Sequence, residues 1–296
     1  MSKQVVIWGL RTIRHSHRYI HKGFYENFSR MGFDVVWVDD KAENQKYLEG
    51  RKLVVLADVA SKYVINETNN VYVTHNLDRP DFTDSSNVLR LQVWTNESKG
   101  VPVDSSLALY DKDSRTLFQP WGIPEPESLW LKPSLNVGKR EYWVGAVWNN
   151  QLNQGNKRVI SEYKSILDNR GLKFRRVGGT RWLTKNGLSP HRSYELVNRS
   201  PLGCAIVGEW QDSKGYIPCR LFKNVAAGAI PSSNSDFSTL FFDSGIYNGN
   251  LETLVSEVMQ VRDSEKYERV AHAQQLMKQY KYENSIVRIT TLAASL

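Results

Sequence analysis

Short apolar runs separated by helix-length stretches are the feature that most constrains what this chain can fold into. In the first part of the chain such runs occupy residues 5–8, 35–38, 53–57 and 71–74. Each run is long enough for a buried strand and too short for a helix. A helical pattern at 19–31 connects the first two runs. Continuous apolar strands linked by helices are typical of parallel sheets, so an α/β fold with an open parallel sheet is predicted here.

The same alternation starts again after a proline-rich crossing at 118–133. Beyond it the pattern predicts strands at 142–147, 172–177, 204–207 and 229–231, and helices at 158–169, around Leu196, at 221–227 and from Leu251 onward. A chain of 296 residues exceeds one ordinary domain. We therefore predict an amino-terminal domain at 1–125, a second Rossmann-like domain at 126–280, and a terminal helix at 281–296 that packs back on the first domain.

Composition limits the class of protein. Hydrophobic residues make up 41% of the chain, enough for two cores, and no apolar stretch reaches the roughly 20 residues of a membrane-spanning helix. The start of the chain runs into a strand without a signal-peptide pattern, so a soluble, cytoplasmic protein is expected. The two cysteines, Cys204 and Cys219, are too few and too isolated for a disulfide framework or a zinc site.

The net charge of +8 fits an anionic partner, which is a nucleotide diphosphate, a nucleic acid or an acidic membrane surface. The basic residues are spread along the chain instead of forming the dense stripe typical of a nucleic-acid module. The sequence contains neither a GxGxxG nor a Walker A motif, which disfavours a nicotinamide dehydrogenase and a P-loop NTPase. Charge alone does not choose among the three partners.

The segment 208–231 carries the strongest motif. Gly208-Glu209-Trp210 is followed by a helical stretch with Arg220 and Lys223 in its first turn, then Ala226-x-Gly228 and a short apolar run. A helix amino terminus with two cations nearby favours a diphosphate.

This segment resembles the donor-binding segment of GT-B glycosyltransferases, as found in phage DNA glucosyltransferases and in surface-polysaccharide glycosyltransferases. The resemblance implies two Rossmann-like open parallel-sheet domains that face a cleft. It departs from the pattern at Lys223, where an acidic residue usually holds the ribose hydroxyls. The expected donor-binding residues are Gly145, Trp148, Arg158, Gly179, Thr180, Glu209, Tyr216, Ile217, Arg220, Lys223 and Asn224.

Candidate catalytic residues follow strands at the carboxyl edge of the sheets, where open α/β sheets bind ligands. A proton acceptor for an acceptor hydroxyl is predicted among His17, His75 and Asp78, and Glu209 is a candidate for donor-sugar contact or charge stabilisation. His21 is expected on a helix surface. His15, His17 and His21 lack a nearby carboxylate or cysteine, and Asp39-Asp40 and residues 111–113 are expected to face solvent, so neither a metal ion nor another cofactor is expected.

The leading hypothesis is a glycosyltransferase that uses a nucleotide-sugar donor and a glycan or glycolipid acceptor. Two alternatives remain open at this stage. One is a glycosyltransferase acting on modified DNA bases, which the basic charge favours. The other is a non-catalytic nucleotide- or nucleic-acid-binding protein of the same fold, because a fold does not prove activity.

Overall fold

A computed structural model describes residues 4–13, 15, 17–177 and 188–296 of the chain. By internal contacts the chain forms two compact units. The first unit comprises residues 1–93, 98–124 and 280–296, and the second comprises residues 94–97 and 125–279. The carboxyl-terminal segment is thus part of the first unit.

An eight-stranded sheet organises the first unit. Its strands are β1 (Gln4–Trp8), β2 (Asp34–Val38), β3 (Leu53–Ala57), β4 (Val71–His75), β5 (Val88–Gln92), β6 (Val101–Pro102), β7 (Leu109–Asp111) and β8 (Thr116–Phe118). They lie in the order β2-β1-β3-β4-β5-β8-β7-β6. All pairs from β2 to β8 are parallel, whereas β7 pairs antiparallel with both β8 and β6. The four predicted strands are β1 to β4. Strands β1, β3 and β4 are inner strands and are buried apart from Gln4, whereas β2 is an edge strand and is mostly half-buried.

Helices of the first unit are α1 (Arg18–Arg30), α2 (Pro80–Thr83) and α9 (Tyr282–Ala293), with 3₁₀ turns at Ala42–Leu48 and Asp58–Ala60. A further 3₁₀ turn, Lys278–Tyr280, contains the last residues of the second unit and the first residue of the carboxyl-terminal segment. Helix α9 packs against α1, and the ring of Tyr282 lies 5.0 Å from that of Phe24 between ring centroids. Both rings are fully buried. The end of the chain therefore contributes to the core of the first unit.

The second unit contains β9 (Arg140–Val144), α3 (Lys157–Asn169), β10 (Lys173–Val177), α4 (Pro190–Asn198), α5 (Glu209–Ser213), α6 (Cys219–Ala226), β11 (Ser232–Ser233), β12 (Ile246–Tyr247), α7 (Leu251–Gln260) and α8 (Asp263–Met277). Further 3₁₀ turns lie at Thr95–Glu97, Glu127–Leu129 and Asp236–Leu240. Strands β9 and β10 pair in parallel, as do β11 and β12.

Two predicted strands of the second unit are wrong in detail. Residues 204–207 are buried and extended but do not form a regular strand, and the strand predicted at 229–231 is instead β11, at Ser232–Ser233. The physical reason is that side chains form some of the hydrogen bonds that a neighbouring strand's backbone would otherwise form with residues 204–207. The amide of Asn234 bonds both the N–H and the carbonyl of Val207, at 2.8 and 3.1 Å, and the Ser233 hydroxyl donates to the carbonyl of Ala205 at 2.8 Å.

A buried carboxylate lies in the core of the second unit. Glu141 accepts hydrogen bonds from the backbone N–H groups of Leu202 and Gly203, at 3.2 and 2.9 Å, and from the Tyr163 hydroxyl at 3.4 Å. Burial nevertheless raises the pKa of Glu141 to about 7, because desolvation outweighs these hydrogen bonds. The folded second unit therefore holds a proton there that the unfolded chain releases near pH 4.5.

We expect the stability of the second unit to fall as pH rises from 5 to 7. Glu141 binds more protons in the folded than in the unfolded state over this window, so its contribution is full below pH 4.5 and is lost as pH passes about 7. The slope expected from one proton is about 1.4 kcal/mol per pH unit. Urea denaturation across this range measures the slope. Glu141→Gln should flatten it, whereas the same change at exposed Glu162 should not; an unchanged slope in Glu141→Gln would contradict the assignment.

Candidate functional site

Tight turns follow the two strands of the first unit that lie on either side of β3. Leu10, after β1, and Asn76, after β4, both have positive φ angles, 64° and 52°. Such values are uncommon for residues other than glycine and mark sharp changes of chain direction. The turns hold the ends of β1 and β4 beside the start of α1, where the histidines of the first unit gather.

Four histidine side chains, His15, His17, His21 and His75, form what we call the histidine cluster. The ring centroids of His15 and His17 are 4.9 Å apart, those of His17 and His75 are 5.0 Å apart, and those of His21 and His75 are 5.5 Å apart. The ring of Trp121 packs on His75 at 4.9 Å. The structure thus brings together the predicted residues His17 and His75.

His21 corrects an expectation, because it is fully buried and does not lie on a helix surface. Its Nδ1 lies 3.3 Å from the carbonyl oxygen of Gly9, and its Nε2 lies 3.3 Å from the Nε2 of His75. His75 is also buried, whereas His15 and His17 are half-buried. The amphipathic pattern of α1 gave no signal for this, since the buried face of the helix carries two polar residues, His21 and Asn27, among apolar ones.

Burial makes these imidazoles weak bases. Desolvation lowers the pKa of His17 to about 4 and that of His21 to about 3, and it lowers the pKa of His75 well below the ordinary value. Repulsion among the histidines acts in the same direction, while the Gly9 carbonyl partly opposes the shift of His21. The buried members of the histidine cluster are therefore neutral at physiological pH.

Asp78 lies apart from this arrangement. It follows His75 by three residues, but its side chain is exposed. Its position gives no evidence for or against proton transfer. A catalytic role for Asp78 therefore stays a prediction.

Asp39 and Asp40 correct a second expectation, because both are engaged in structure and do not simply face solvent. Asp40 accepts hydrogen bonds from the indole N–H of Trp8 and the backbone N–H groups of Lys62 and Tyr63, all between 2.8 and 2.9 Å. Asp39 accepts bonds from the backbone N–H and the hydroxyl of Thr12, at 2.8 and 2.9 Å. The two carboxylates tie together the loops that follow β1, β2 and β3.

In the second unit the predicted residue Arg220 lies at the carboxyl end of β9. Its guanidinium carbon lies 3.5 Å from the centroid of the Trp143 ring, and its Nε donates to the carbonyl oxygen of Val144 at 3.3 Å. The side chain is half-buried, and desolvation lowers the pKa of Arg220 to about 10, so it stays protonated at neutral pH. Within the part of the chain that the structure describes, no carboxylate forms an ion pair with it.

Gly145 is required where Arg220 lies against the backbone. A Cβ atom at Gly145 would come within 2.3 Å of Nη2 of Arg220, and the φ angle of Gly145 is +148°. Its N–H donates to the carbonyl oxygen of Val177 at 3.1 Å, which joins the ends of β9 and β10. The glycine predicted to approach a diphosphate therefore closely contacts the arginine predicted to bind it.

Trp148 lies in the loop before α3, and Arg158 and Glu209 lie at the starts of α3 and α5. The backbone of Trp148 closes onto the start of α3, since its N–H donates to Asn156 and its carbonyl accepts from Lys157, both at 3.1 Å. The Trp148 side chain is exposed. Arg158 and Glu209 form an ion pair, and both side chains are 71% exposed, so the pair adds little stability and is accessible to solvent.

The remaining predicted donor residues divide by burial. Ile217 is fully buried, and Asn224 is buried with its amide donating to the Gly203 carbonyl at 2.5 Å, so both have packing roles. Tyr216 and Lys223 are half-buried, and Lys223 lies in the last turn of α6, not in the first turn as predicted. Gly179 and Thr180 lie outside the described residues.

Sequence reasoning missed Trp143, which is 2% exposed and supports the guanidinium of Arg220. It also missed His21. An aromatic residue near the end of a predicted strand was the signal for Trp143, but no spacing rule links it to an arginine 77 positions later. Over residues 4–13, 15, 17–177 and 188–296, no three His, Cys, Asp or Glu side chains are placed to hold a metal ion, and no helix has the length and apolar character to cross a membrane.

Comparison with known proteins gives similarity at the level of structure. No protein-family profile and no curated protein matches the sequence. An alpha-glucosyltransferase in complex with UDP is similar over 98% of this chain and 99% of that chain, with a TM-score of 0.60 and 11% sequence identity. The ligand-free, open structure of CD0873, a substrate-binding protein with adhesive properties from Clostridium difficile, aligns over 95% of this chain and 87% of that chain at 12% identity. Its TM-score of 0.24 carries no weight.

The glucosyltransferase similarity covers nearly the whole of both chains, so it is not limited to one common motif. At 11% identity it bears on the fold alone. Together with the large, mostly parallel sheet, it confirms the predicted fold class. The chain has an α/β fold of the GT-B type, built from Rossmann-like units.

Proposed function

We propose that this protein is a glycosyltransferase that moves a sugar from a nucleotide-sugar donor to a glycan or lipid-linked acceptor. The observation that carries the proposal is Arg220, a half-buried cation with no carboxylate partner among the described residues. A buried charge without a counter-charge is costly, and an anionic ligand removes that cost. The UDP bound by the structurally similar glucosyltransferase supports a nucleoside diphosphate as that ligand.

On the donor side, Arg220 and Gly145 would hold the diphosphate, with Lys223 adding positive charge from the same helix. The planar guanidinium suits bidentate bonds to phosphate oxygens, and its stacking on Trp143 fixes its orientation beforehand. Arg158, Glu209, Trp148 and Tyr216 remain candidates for contact with the nucleotide or the sugar. Ile217 and Asn224 are left out because they are engaged in packing.

On the acceptor side, we propose His17 as the residue that takes the proton of the acceptor hydroxyl. It is the half-buried member of the histidine cluster that packs directly on His75, whereas His75 itself is inaccessible. Its low pKa means that it is unprotonated, and so able to accept a proton, at any pH above about 4. We propose further that transfer needs no divalent metal ion.

One observation favours a second acceptor class. The net charge of +8 suits a polyanion, which is the basis for a glycosyltransferase that acts on modified bases in DNA. A non-catalytic binding protein of this fold is the other alternative. The identity of the acceptor that is glycosylated distinguishes the two transferase hypotheses. Turnover of the nucleotide-sugar donor distinguishes both of them from the non-catalytic binding protein.

A thermal-shift screen against nucleotide diphosphates and nucleotide sugars tests the proposal. A ligand at a hundredfold excess over its Kd should stabilise the protein by about 2.7 kcal/mol, so one selective shift identifies the donor. Slow hydrolysis of that nucleotide sugar, measured with and without EDTA, then tests catalysis and metal independence. If no nucleotide shifts the melting temperature and DNA does so in a salt-sensitive way, the transferase proposal is wrong.

A further inference from the structure

The contacts of His21 determine where its proton lies. Its Nδ1 faces the carbonyl oxygen of Gly9 at 3.3 Å, and a carbonyl oxygen only accepts hydrogen bonds. The same oxygen also accepts the indole N–H of Trp37 at 2.8 Å, which its two lone pairs allow. An unprotonated Nδ1 of His21 would point its lone pair at a lone pair of the Gly9 carbonyl oxygen, and the two would repel each other. Neutral His21 therefore carries its proton on Nδ1, and its Nε2 is an acceptor.

This tautomer of His21 dictates that of His75. The two Nε2 atoms lie 3.3 Å apart, so one of them donates and the other accepts. Because Nε2 of His21 is the acceptor, Nε2 of His75 is the donor and carries the only proton of that neutral ring. Nδ1 of His75 is left with a free lone pair.

Nothing that the structure describes satisfies this lone pair. Nδ1 of His75 is buried and has no hydrogen-bond partner among residues 4–13, 15, 17–177 and 188–296. Buried polar atoms are nearly always hydrogen-bonded, so an exception calls for an explanation. The neighbouring ring of His17, whose own Nδ1 is buried and likewise unpartnered within those ranges, packs edge-to-face on His75 at 5.0 Å.

We propose that His21 is a positioning residue, which fixes His75 as the Nε2–H tautomer so that Nδ1 of His75 remains a proton acceptor beside His17. This inference rests on the proposed function, in which His17 receives the proton of the acceptor hydroxyl. His75 and His21 then act through His17 and do not themselves touch the substrate.

The proposed step balances as follows in atoms and electrons. The acceptor oxygen forms a bond to the anomeric carbon of the donor sugar as the bond from that carbon to the diphosphate oxygen breaks. The electron pair of the broken bond leaves on the diphosphate. The hydroxyl proton goes to His17, and the Nε2 proton of His75 stays on that ring, hydrogen-bonded to Nε2 of His21.

Nitrogen NMR of the whole protein labelled at histidine tests the tautomers without reference to activity. In the wild type we expect His75 to be protonated on Nε2 and bare on Nδ1, and His21 to be protonated on Nδ1. His21→Leu removes the acceptor and should let the His75 proton redistribute between its nitrogens. In His21→Gln the side-chain oxygen can accept from Nε2 of His75, so the wild-type tautomer should persist. A wild-type His75 protonated on Nδ1 overturns the proposal.

Kinetics give the second readout. We expect His21→Leu to lower kcat by at least about tenfold and to change its pH profile, with KM for the donor unaltered, because only proton transfer is affected. His21→Gln should retain most of the wild-type rate, and His191→Gln, at an exposed position, serves as control. Equal rates in the Leu and Gln variants would overturn the positioning role. If the wild type transfers no sugar at all, the proposed function fails, whereas the NMR result still decides the tautomers.

Discussion

Replacing Arg220 with alanine is expected to lower kcat/KM for the nucleotide-sugar donor by roughly a hundredfold, because it removes a preorganised cation that stabilises the leaving diphosphate. Arg220→Lys keeps the charge but loses the planar donor fork and the stacking on Trp143, so an intermediate loss of roughly tenfold is expected. Steady-state kinetics and the nucleotide-induced thermal shift measure the two effects. Both variants should weaken binding of the free diphosphate as well.

Two further variants distinguish a role in donor binding from a general loss of stability. Gly145→Ala leaves Arg220 in the chain but places a Cβ only 2.3 Å from Nη2 of Arg220. By displacing the guanidinium, this variant should reproduce much of the loss in kcat/KM expected for Arg220→Ala. Arg262→Ala removes an exposed arginine of the second unit and should leave the kinetics unchanged. If Arg220→Ala behaves like Arg262→Ala, the donor assignment is wrong.

Sequence alone predicts a role for Arg220, but it does not predict which residues surround it. A basic residue in the first turn of a helix near a glycine loop follows from local pattern alone. Its partner Trp143 lies 77 positions earlier, and only the tertiary fold brings α6 close to the end of β9 and so places the two side chains in contact. Local patterns predict which residue types suit a phosphate, whereas contacts across the sequence decide which of them are positioned for it.

The strands show the same contrast between what local sequence pattern predicts and what depends on tertiary contacts. Buried parallel strands carry continuous apolar runs, over all of β3 and over β1 after Gln4, so sequence predicts them correctly. Strands β6 and β7, with two and three residues, are too short to carry any periodicity and were not predicted. The strand predicted at 204–207 failed because side chains of Ser233 and Asn234 take over backbone hydrogen bonds.

His21 shows why burial of polar groups is hard to predict. A histidine on a helix with other basic residues nearby usually faces solvent, and the sequence contains no sign that Gly9 and His75 would meet it. The pairing depends on the turn after β1 and on the adjacency of β3 and β4, both of which are tertiary features. The histidine cluster was therefore predicted only in part, through His17 and His75.

The first unit is expected to unfold in mild acid, before the second. The folded-state pKa values of His17 and His21 are depressed to about 4 and 3, and that of His75 lies well below normal, so the unfolded chain binds protons below pH 6.5 that the folded unit does not. The stability contributed by the neutral histidines is full above pH 6.5 and is lost as pH falls toward 4. Three such groups give a slope of up to about 4 kcal/mol per pH unit near pH 5, against a typical total stability of about 5–15 kcal/mol.

Hydrogen exchange resolved by peptide distinguishes the two units in this experiment. Between pH 6.5 and 4.5, peptides from β4 and α1 should lose protection, while peptides from β9 and α3 should retain it because protonation of Glu141 stabilises the second unit over the same range. In His21→Gln the slope should decrease by up to about 1.4 kcal/mol per pH unit, since one titrating group is removed, and in His191→Gln it should not change. Equal loss of protection in both units, or a wild-type slope in His21→Gln, would show that the histidine cluster does not control the acid stability of the first unit.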